Sequence, residues 1–149
     1  MLSGMLDSWS ALYSNHASLR TAIEFAHVGG LLAGGGSALA ADLAIMRGGD
    51  PQLLKHTHVL VVAGLVALFA SGVLLFAADV DTYLYSRVYW IKMALIVVLL
   101  VNGIVLWRAE RRAAAGDNDA WTVLHRTAIV SLLVWFATTL AGAALPNIG

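Results

Sequence analysis

Four apolar segments dominate this chain, and each is long enough to cross a lipid bilayer. A spanning helix needs about 20 apolar residues. The segments lie at residues 21–46, 53–78, 86–108 and 121–145. The links between them are short, which forces neighbouring helices to run antiparallel. The sequence therefore predicts an all-α fold, an antiparallel bundle of four transmembrane helices within one domain, residues 20–149.

The composition agrees with a membrane protein and excludes several kinds of site. Of the 149 residues, 60% are hydrophobic and 12% are charged, and the formal net charge is zero. Soluble domains carry about 25% charged residues. There is no basic block, so nothing indicates a nucleic acid partner. The absence of cysteine excludes disulfides, thiolate zinc or haem sites and iron–sulfur clusters.

The first 19 residues differ in pattern from the rest. Their large apolar side chains recur at helical spacing between Ser, Asp and Asn, which predicts an amphipathic helix lying on the membrane surface. The segment lacks the basic start and compact apolar centre of a signal peptide, so we expect it to be retained. Residues 1–19 thus form a predicted interfacial helix before the bundle.

Lysine and arginine near the helix ends predict the orientation, because cytoplasmic links carry an excess of them. Six such residues fall on the side of links 47–52 and 109–120, against two on the other side. They are Arg47, Lys55, Arg108, Arg111, Arg112 and Arg126, against Arg20 and Arg87. We therefore expect both of these links in the cytoplasm and both termini outside.

The first apolar segment carries Glu24, His27 and Asp42, and ionisable groups at membrane depth are costly enough to indicate function. At about 100° per residue they fall on one helical face. The same face carries Leu31, Gly34, Gly35 and Ala38. Small residues allow a backbone or a flat ligand to approach closely, so we expect this face to line the bundle interior.

Depth along the helices predicts which polar groups meet in the outer half. His27 and Lys92 lie at similar depths, each about 9 Å inside its helix, and Glu24 is one turn from His27. The three form a predicted catalytic or binding cluster for a substrate, a quinone or a proton. His27 is also a candidate metal or haem ligand. The alternative is that Glu24 and Lys92 neutralise each other and only specify helix packing.

In the inner half, His58 and His125 lie at matched depths on the second and fourth helices. This arrangement suits a bis-histidine haem b, with one imidazole on each side of the iron. His56 competes with His58, because the two differ by about 200° around the helix and only one faces inward. Small residues offer room for the porphyrin: Gly64, Ser71, Gly72, Ser131 and Gly142. The alternative is that these histidines bond headgroups or water.

Two further polar residues belong to the candidate cofactor site. Asp42 lies where a ring N–H of an inner histidine reaches it, as in a carboxylate that orients a ligand. Equally, it pairs with Arg47 or Lys55. Asn102 lies near mid-membrane, so it must form a hydrogen bond, and we expect the partner on a neighbouring helix.

The chain resembles a bacterial family of four-helix inner-membrane proteins of unknown function. The resemblance covers most of residues 21–145. It is carried by H27-x2-G30, A41-D42-L43, S71-G-V-L-L-F-A-A-D79, W90-I-K92 with N102, and S131-L-L-V-W135 with G142. It implies a bacterial inner membrane and candidate roles for His27, Asp42, Lys92 and Asn102. More distantly, a His on the first helix with a Lys on the third is similar to HemJ-like protoporphyrinogen oxidases and copper-resistance D-type membrane domains, which implies haem b and porphyrin chemistry.

Three hypotheses follow for function. The first is a haem b redox protein, similar to a cytochrome b, that passes electrons between haem and a small molecule or quinone. The second is a non-enzymatic bundle, either a transporter of small ions or metabolites or an assembly subunit of a larger membrane complex. The third is porphyrinogen oxidation. We expect a homo-oligomer or a complex subunit, since the glycine-rich segments suit a helix interface.

Overall fold

The computed structural model describes residues 2–49 and 55–148, and within these ranges it contains helices and no strand. The helices are α1 (Leu2–Asn15), α2 (Ala17–Gly30), α3 (Gly36–Met46), α4 (Lys55–Ala78), α5 (Val80–Tyr85), α6 (Arg87–Ala114) and α7 (Asn118–Ile148). A π-helical turn, Leu31–Gly35, joins α2 to α3, so the two form one continuous rod.

Four helical stretches are long and apolar enough to cross a membrane. They are Ala17–Met46, Thr57–Ala78, Arg87–Ala114 and Asn118–Leu145. Large apolar side chains point outward from them, including Phe25 and Phe69, each 76% exposed, and Leu140, 71% exposed. Such a surface suits lipid rather than water. The predicted all-α bundle of four transmembrane helices is therefore confirmed.

The rod formed by α2, the π turn and α3 organises the packing. Its α2 and π portions lie against α4, and α3 lies mainly against α7. Helix α6 packs along α7, and the short helix α5 connects α4 to α6. The two ends of the bundle differ in composition. We call the end with Arg47, Arg108 and Arg112 the basic end, and the end with Tyr83 and Trp90 the aromatic end.

The contact between the rod and α4 depends on glycine. A Cβ added at Gly34 would lie 3.1 Å from Gly64 Cα, and one added at Gly64 would overlap the Gly34 backbone. A Cβ at Gly35 would lie 3.1 Å from the Trp135 ring of α7. Backbones approach this closely only where side chains are absent. These four residues, with Gly30, form a tightly packed layer across the middle of the bundle, called the glycine layer below.

Helix α1 packs against α4. The Trp9 indole N–H donates a hydrogen bond to the Leu74 carbonyl oxygen at 2.9 Å. A buried or half-buried indole usually finds such a partner, and here the partner holds α1 against the aromatic-end half of α4. The predicted amphipathic helix is present, and its position on a membrane surface stays a prediction.

The predicted link 109–120 is mostly helical. Helix α6 continues to Ala114, and α7 begins at Asn118. Gly116 turns the chain with a φ of +90°, a conformation that favours glycine. Asp117 accepts hydrogen bonds from the backbone N–H of Asp119 and Ala120, which caps α7. The turn is therefore shorter than predicted, and one additional turn of α6 joins the bundle.

Candidate functional site

Three ionisable side chains meet on three helices at the basic end. His58 Nε2 of α4 lies 3.0 Å from Glu110 Oε2 and 3.4 Å from Oε1 of α6. Asp42 of α3 lies close enough to Glu110 for the Glu110 charge to act on its carboxyl. Asp42 is 2% exposed and Glu110 is 5% exposed. We call Asp42, His58 and Glu110 the basic-end cluster.

The Asp42 carboxyl is incompletely satisfied. Its neighbour on α7 is the buried Ser131 hydroxyl. Its Oδ2 atom is buried and has no hydrogen-bond partner among the described residues. Leaving one buried acceptor unpaired costs about 1–3 kcal/mol, and more for a charged group. A proton on Asp42, or a positive group beside it, removes that cost.

Glu110 is the residue of this cluster that the sequence reasoning missed. The inward face of α6 runs through Leu99, Asn102, Leu106, Ala109 and Ala113 at helical spacing. Because this stripe continues past Trp107, it indicates that the helix extends into the predicted link. Glu110 lies two turns after Asn102, on the same side. This apolar stripe is visible in the sequence, but the arginines around Glu110 are typical of a solvated link, and the segment was therefore predicted to be one.

A second polar group lies in the aromatic-end half. His27 Nδ1 of α2 lies 3.0 Å from Ser71 Oγ of α4. The Ser71 hydroxyl donates to the Ala67 carbonyl oxygen at 2.6 Å, so its oxygen accepts from the His27 Nδ1–H. This tautomer leaves His27 Nε2 as an acceptor. The ring also lies close to Gly72, whose missing side chain gives it space.

Lys92 of α6 reaches into the same half. Its amino group lies over Gly142 of α7, 3.5 Å from where a glycine Cβ would be. Its charge also acts on His27. Among the described residues Lys92 forms no ion pair. We call His27, Ser71 and Lys92 the aromatic-half cluster. The predicted contact between His27 and Lys92 stays a prediction, since Lys92 acts on His27 through its charge alone.

Glu24 lies apart from this cluster. Its carboxylate is exposed and accepts a hydrogen bond from the Tyr13 hydroxyl of α1 at 3.1 Å. Burial, together with Glu24 as its acceptor, raises the pKa of Tyr13 to about 12, so the phenol keeps its proton. The Glu24–Lys92 ion pair considered in the sequence analysis is not formed in the described structure. Glu24 thus bonds α1 at the protein surface instead of pointing into the bundle.

The structure does not bring His58 and His125 together as a haem-binding pair. His58 Nε2 is engaged by Glu110, whereas His125 is exposed and lines a surface pocket beside Trp121 and Arg126. The prediction compared only the depths of the two histidines along their helices. It did not take into account which side of α7 carries His125, and that side faces outward. The His56 side chain lies outside the described residues. The expected space for a porphyrin at Gly64 is filled by α2.

The described surroundings lend no support to this pair as the ligands of the predicted bis-histidine haem. A haem held by other groups of this chain stays a prediction that an absorption spectrum of the purified protein tests. Asp42 does not serve as the carboxylate partner of His58, because Glu110 takes that position. Asp42 also forms no ion pair with Arg47 in the described structure, and the Lys55 side chain lies outside it.

Asn102 has the partner expected of it. Its Nδ2 donates a hydrogen bond to the Thr127 carbonyl oxygen of α7 at 2.9 Å. A side-chain amide in an apolar bundle must find such an acceptor. The predicted link to a neighbouring helix is confirmed, and Asn102 serves α6–α7 packing here.

Comparison with known proteins finds no match: no protein-family model, no curated protein and no solved structure is similar to this chain. The resemblances drawn from short motifs stay predictions, and the two polar clusters are the candidate functional groups of this chain.

Proposed function

We propose that this protein translocates protons as part of membrane transport, with the basic-end cluster as its proton-binding group. The observation that carries the proposal is the burial of Asp42 and Glu110 on adjacent inward faces, with one Asp42 oxygen unpaired in the described structure. Chains of Asp, Glu and His at membrane depth recur in proton relays of pumps and transporters.

His58 connects this cluster to the basic end. Its side chain is 34% exposed, whereas that of Glu110 is 7% exposed. A proton from water therefore reaches the His58 ring first, then Glu110 at hydrogen-bond distance, and then the deeper Asp42. Each step passes a proton between side chains of the types that serve as proton donors and acceptors in membrane relays.

The glycine layer supplies the barrier that transport requires. Asp42 follows His27 by 15 residues along one rod, which is about 22 Å of helix. Gly34 packs against Gly64 and Gly35 against Trp135 between them, so closely that a Cβ added at either glycine would lie 3.1 Å from its neighbour. Transporters bind their cargo at groups that open to one side at a time. We assign the aromatic-half cluster, with its amine and imidazole, to the other side of this barrier.

Proton flux into vesicles tests the proposal. The purified protein is reconstituted into liposomes that contain a pH-sensitive dye, and a potassium diffusion potential drives protons inward. We expect wild-type vesicles to acidify faster than vesicles without protein. Asp42→Asn removes the titratable group while keeping the side-chain shape, so it should lower the rate to that of protein-free vesicles.

Asp7→Asn is the matched control, because Asp7 lies exposed on α1, away from the bundle interior. It should acidify like wild type. Equal rates for wild type, Asp42→Asn and protein-free vesicles would refute proton translocation. A rate that Asp42→Asn leaves at the wild-type level would remove the basic-end cluster from the path.

A further inference from the structure

A pocket of about 550 Å³ opens at the basic end between the end of α3 and the start of α7. It is separate from the basic-end cluster, since neither Glu110 nor His58 lines it. Its walls combine an apolar part with a polar rim. The lining residues are Ile45, Met46, Gly48, Trp121, Thr122, His125 and Arg126.

The rim of this pocket carries a cation that has no ion-pair partner among the described residues. Arg126 is exposed, and among the described residues it forms no ion pair. His125 and Thr122 beside it provide a ring N–H and a hydroxyl, and neither group forms a side-chain hydrogen bond within the described structure. Arginine binds phosphate oxygens through paired N–H groups. The rim therefore suits a phosphate ester.

The position of the pocket along α7 identifies the source of that phosphate. Trp121 is an aromatic residue of the type found at the membrane–water boundary. Helix α7 has 31 residues, about 46 Å of helix against a hydrocarbon core of about 30 Å. Its first turns therefore lie at headgroup level. Ile45 and Met46, at the end of α3, supply the apolar part of the lining, so the pocket offers both a charged and an apolar contact to one molecule.

We propose that this pocket binds the headgroup of an anionic phospholipid, with Arg126 and His125 contacting the phosphate, Ile45 and Met46 contacting the glycerol and upper acyl region, and Trp121 beside the headgroup, one turn nearer the basic end. The proposal is independent of proton translocation. It gives His125 a role as a lipid ligand, one of the alternatives that the sequence left open.

Lipid retention tests this assignment. The protein is purified in a detergent that preserves lipid binding, then mixed with phosphatidylglycerol or phosphatidylcholine, and bound lipid is counted by native mass spectrometry. We expect phosphatidylglycerol to be retained preferentially. Arg126→Gln should weaken it about fivefold, the factor for one interfacial arginine. His125→Gln should weaken it less, since it removes no fixed charge.

Arg108→Gln is the matched control, an exposed arginine at the same end that does not line the pocket. It should retain phosphatidylglycerol like wild type. If Arg126→Gln and Arg108→Gln weaken phosphatidylglycerol binding equally, the lipid is attracted by the general surface charge and the proposed site is wrong. Equal retention of phosphatidylcholine, or displacement of phosphatidylglycerol by inorganic phosphate, would overturn the assignment to an anionic lipid. Circular dichroism checks that each variant keeps its helix content.

Discussion

The two polar clusters of this bundle stabilise ionisable side chains inside an apolar structure, and they do so through different contacts. At the basic end, ionisable groups from three helices face each other, and His58 contacts Glu110 at 3.0 Å. In the aromatic half, His27 is satisfied by the neutral Ser71 hydroxyl, and Lys92 reaches over Gly142 without an ion pair in the described structure. The basic-end cluster contains a direct contact between ionisable side chains, whereas the aromatic-half cluster combines the His27–Ser71 hydrogen bond with the longer-range charge of Lys92.

This difference indicates where protonation changes matter most. At the basic end a proton on any member changes the energy of its neighbours, because the charges are close and shielded from water. In the aromatic half, His27 keeps its hydrogen bond to Ser71 whatever the state of the basic end. The proposed proton site is therefore assigned to the basic-end cluster rather than to the aromatic-half cluster.

The largest expected effect comes from breaking the glycine layer that separates the clusters. Gly64→Val places a side chain where Gly34 already packs. Overpacking costs about 1–3 kcal/mol even where side chains yield, and a backbone yields less. We expect a large fall in thermal stability, measured as loss of the monodisperse peak after heating in detergent.

Gly103→Val is the control for this change, since an added Cβ at Gly103 meets no atom within 4 Å. It should leave the melting temperature near that of wild type. If both variants behave alike, the glycine layer is not tightly packed and the two clusters are not separated by it.

A smaller effect is expected from removing the centre of the basic-end cluster. Glu110→Ala leaves His58 without its partner and opens a gap beside the buried Ala109 and Ala113. We expect the free energy of unfolding to fall by about 2 kcal/mol, with the His58 contribution discounted for its partial exposure.

Ser71→Ala removes the hydrogen-bond partner of His27 in the aromatic-half cluster, and it should lower the free energy of unfolding by about 1 kcal/mol.

Denaturant unfolding in mixed micelles measures both losses, with Glu24→Ala as a reference, since that carboxylate is exposed and bonds only Tyr13. The reference should change stability by less than about 0.5 kcal/mol. A larger loss for Ser71→Ala than for Glu110→Ala would reverse the comparison between the clusters.

The smallest effect concerns the turn at Gly116. Hydrogen bonds from the Arg112 guanidinium hold the pKa of Asp117 below its usual value. A lowered folded pKa means that Asp117 stabilises the fold above its unfolded pKa and loses this contribution as pH falls through the folded pKa. Asp117→Asn should therefore reduce stability slightly near neutral pH and make no difference at strongly acidic pH, as followed by melting temperature against pH.

The helices and their inward faces followed from the sequence because period and length are local properties. Gly34 and Asp42 are buried on the predicted face, and Asn102 bonds the neighbouring helix as expected. The exception is Glu24. Its position around the helix places it on that face, but its carboxylate is exposed and accepts a hydrogen bond from Tyr13. No pattern within the first apolar segment reveals that α1 docks beside it.

The partners of the histidines did not follow from the sequence. Matched depth suggested that His58 meets His125, but a meeting also requires both helices to present the right side. The structure turns His125 to the surface, and it places Glu110 against His58. Glu110 was assigned to a link because arginines surround it, although the apolar stripe that ends in Ala113 continues through this segment.

The protonation of Asp42 is the most direct test of proton storage at the basic end. Infrared difference spectra of the protein in lipid bilayers, recorded between two pH values, show the carbonyl stretch of a carboxylic acid when a buried carboxyl gains its proton. We predict such a band in wild type and in Asp7→Asn, its weakening in Asp42→Asn, where the Glu110 carboxyl still contributes, and its displacement in His58→Gln. A spectrum without this band, or one that Asp42→Asn leaves unchanged, would contradict the account.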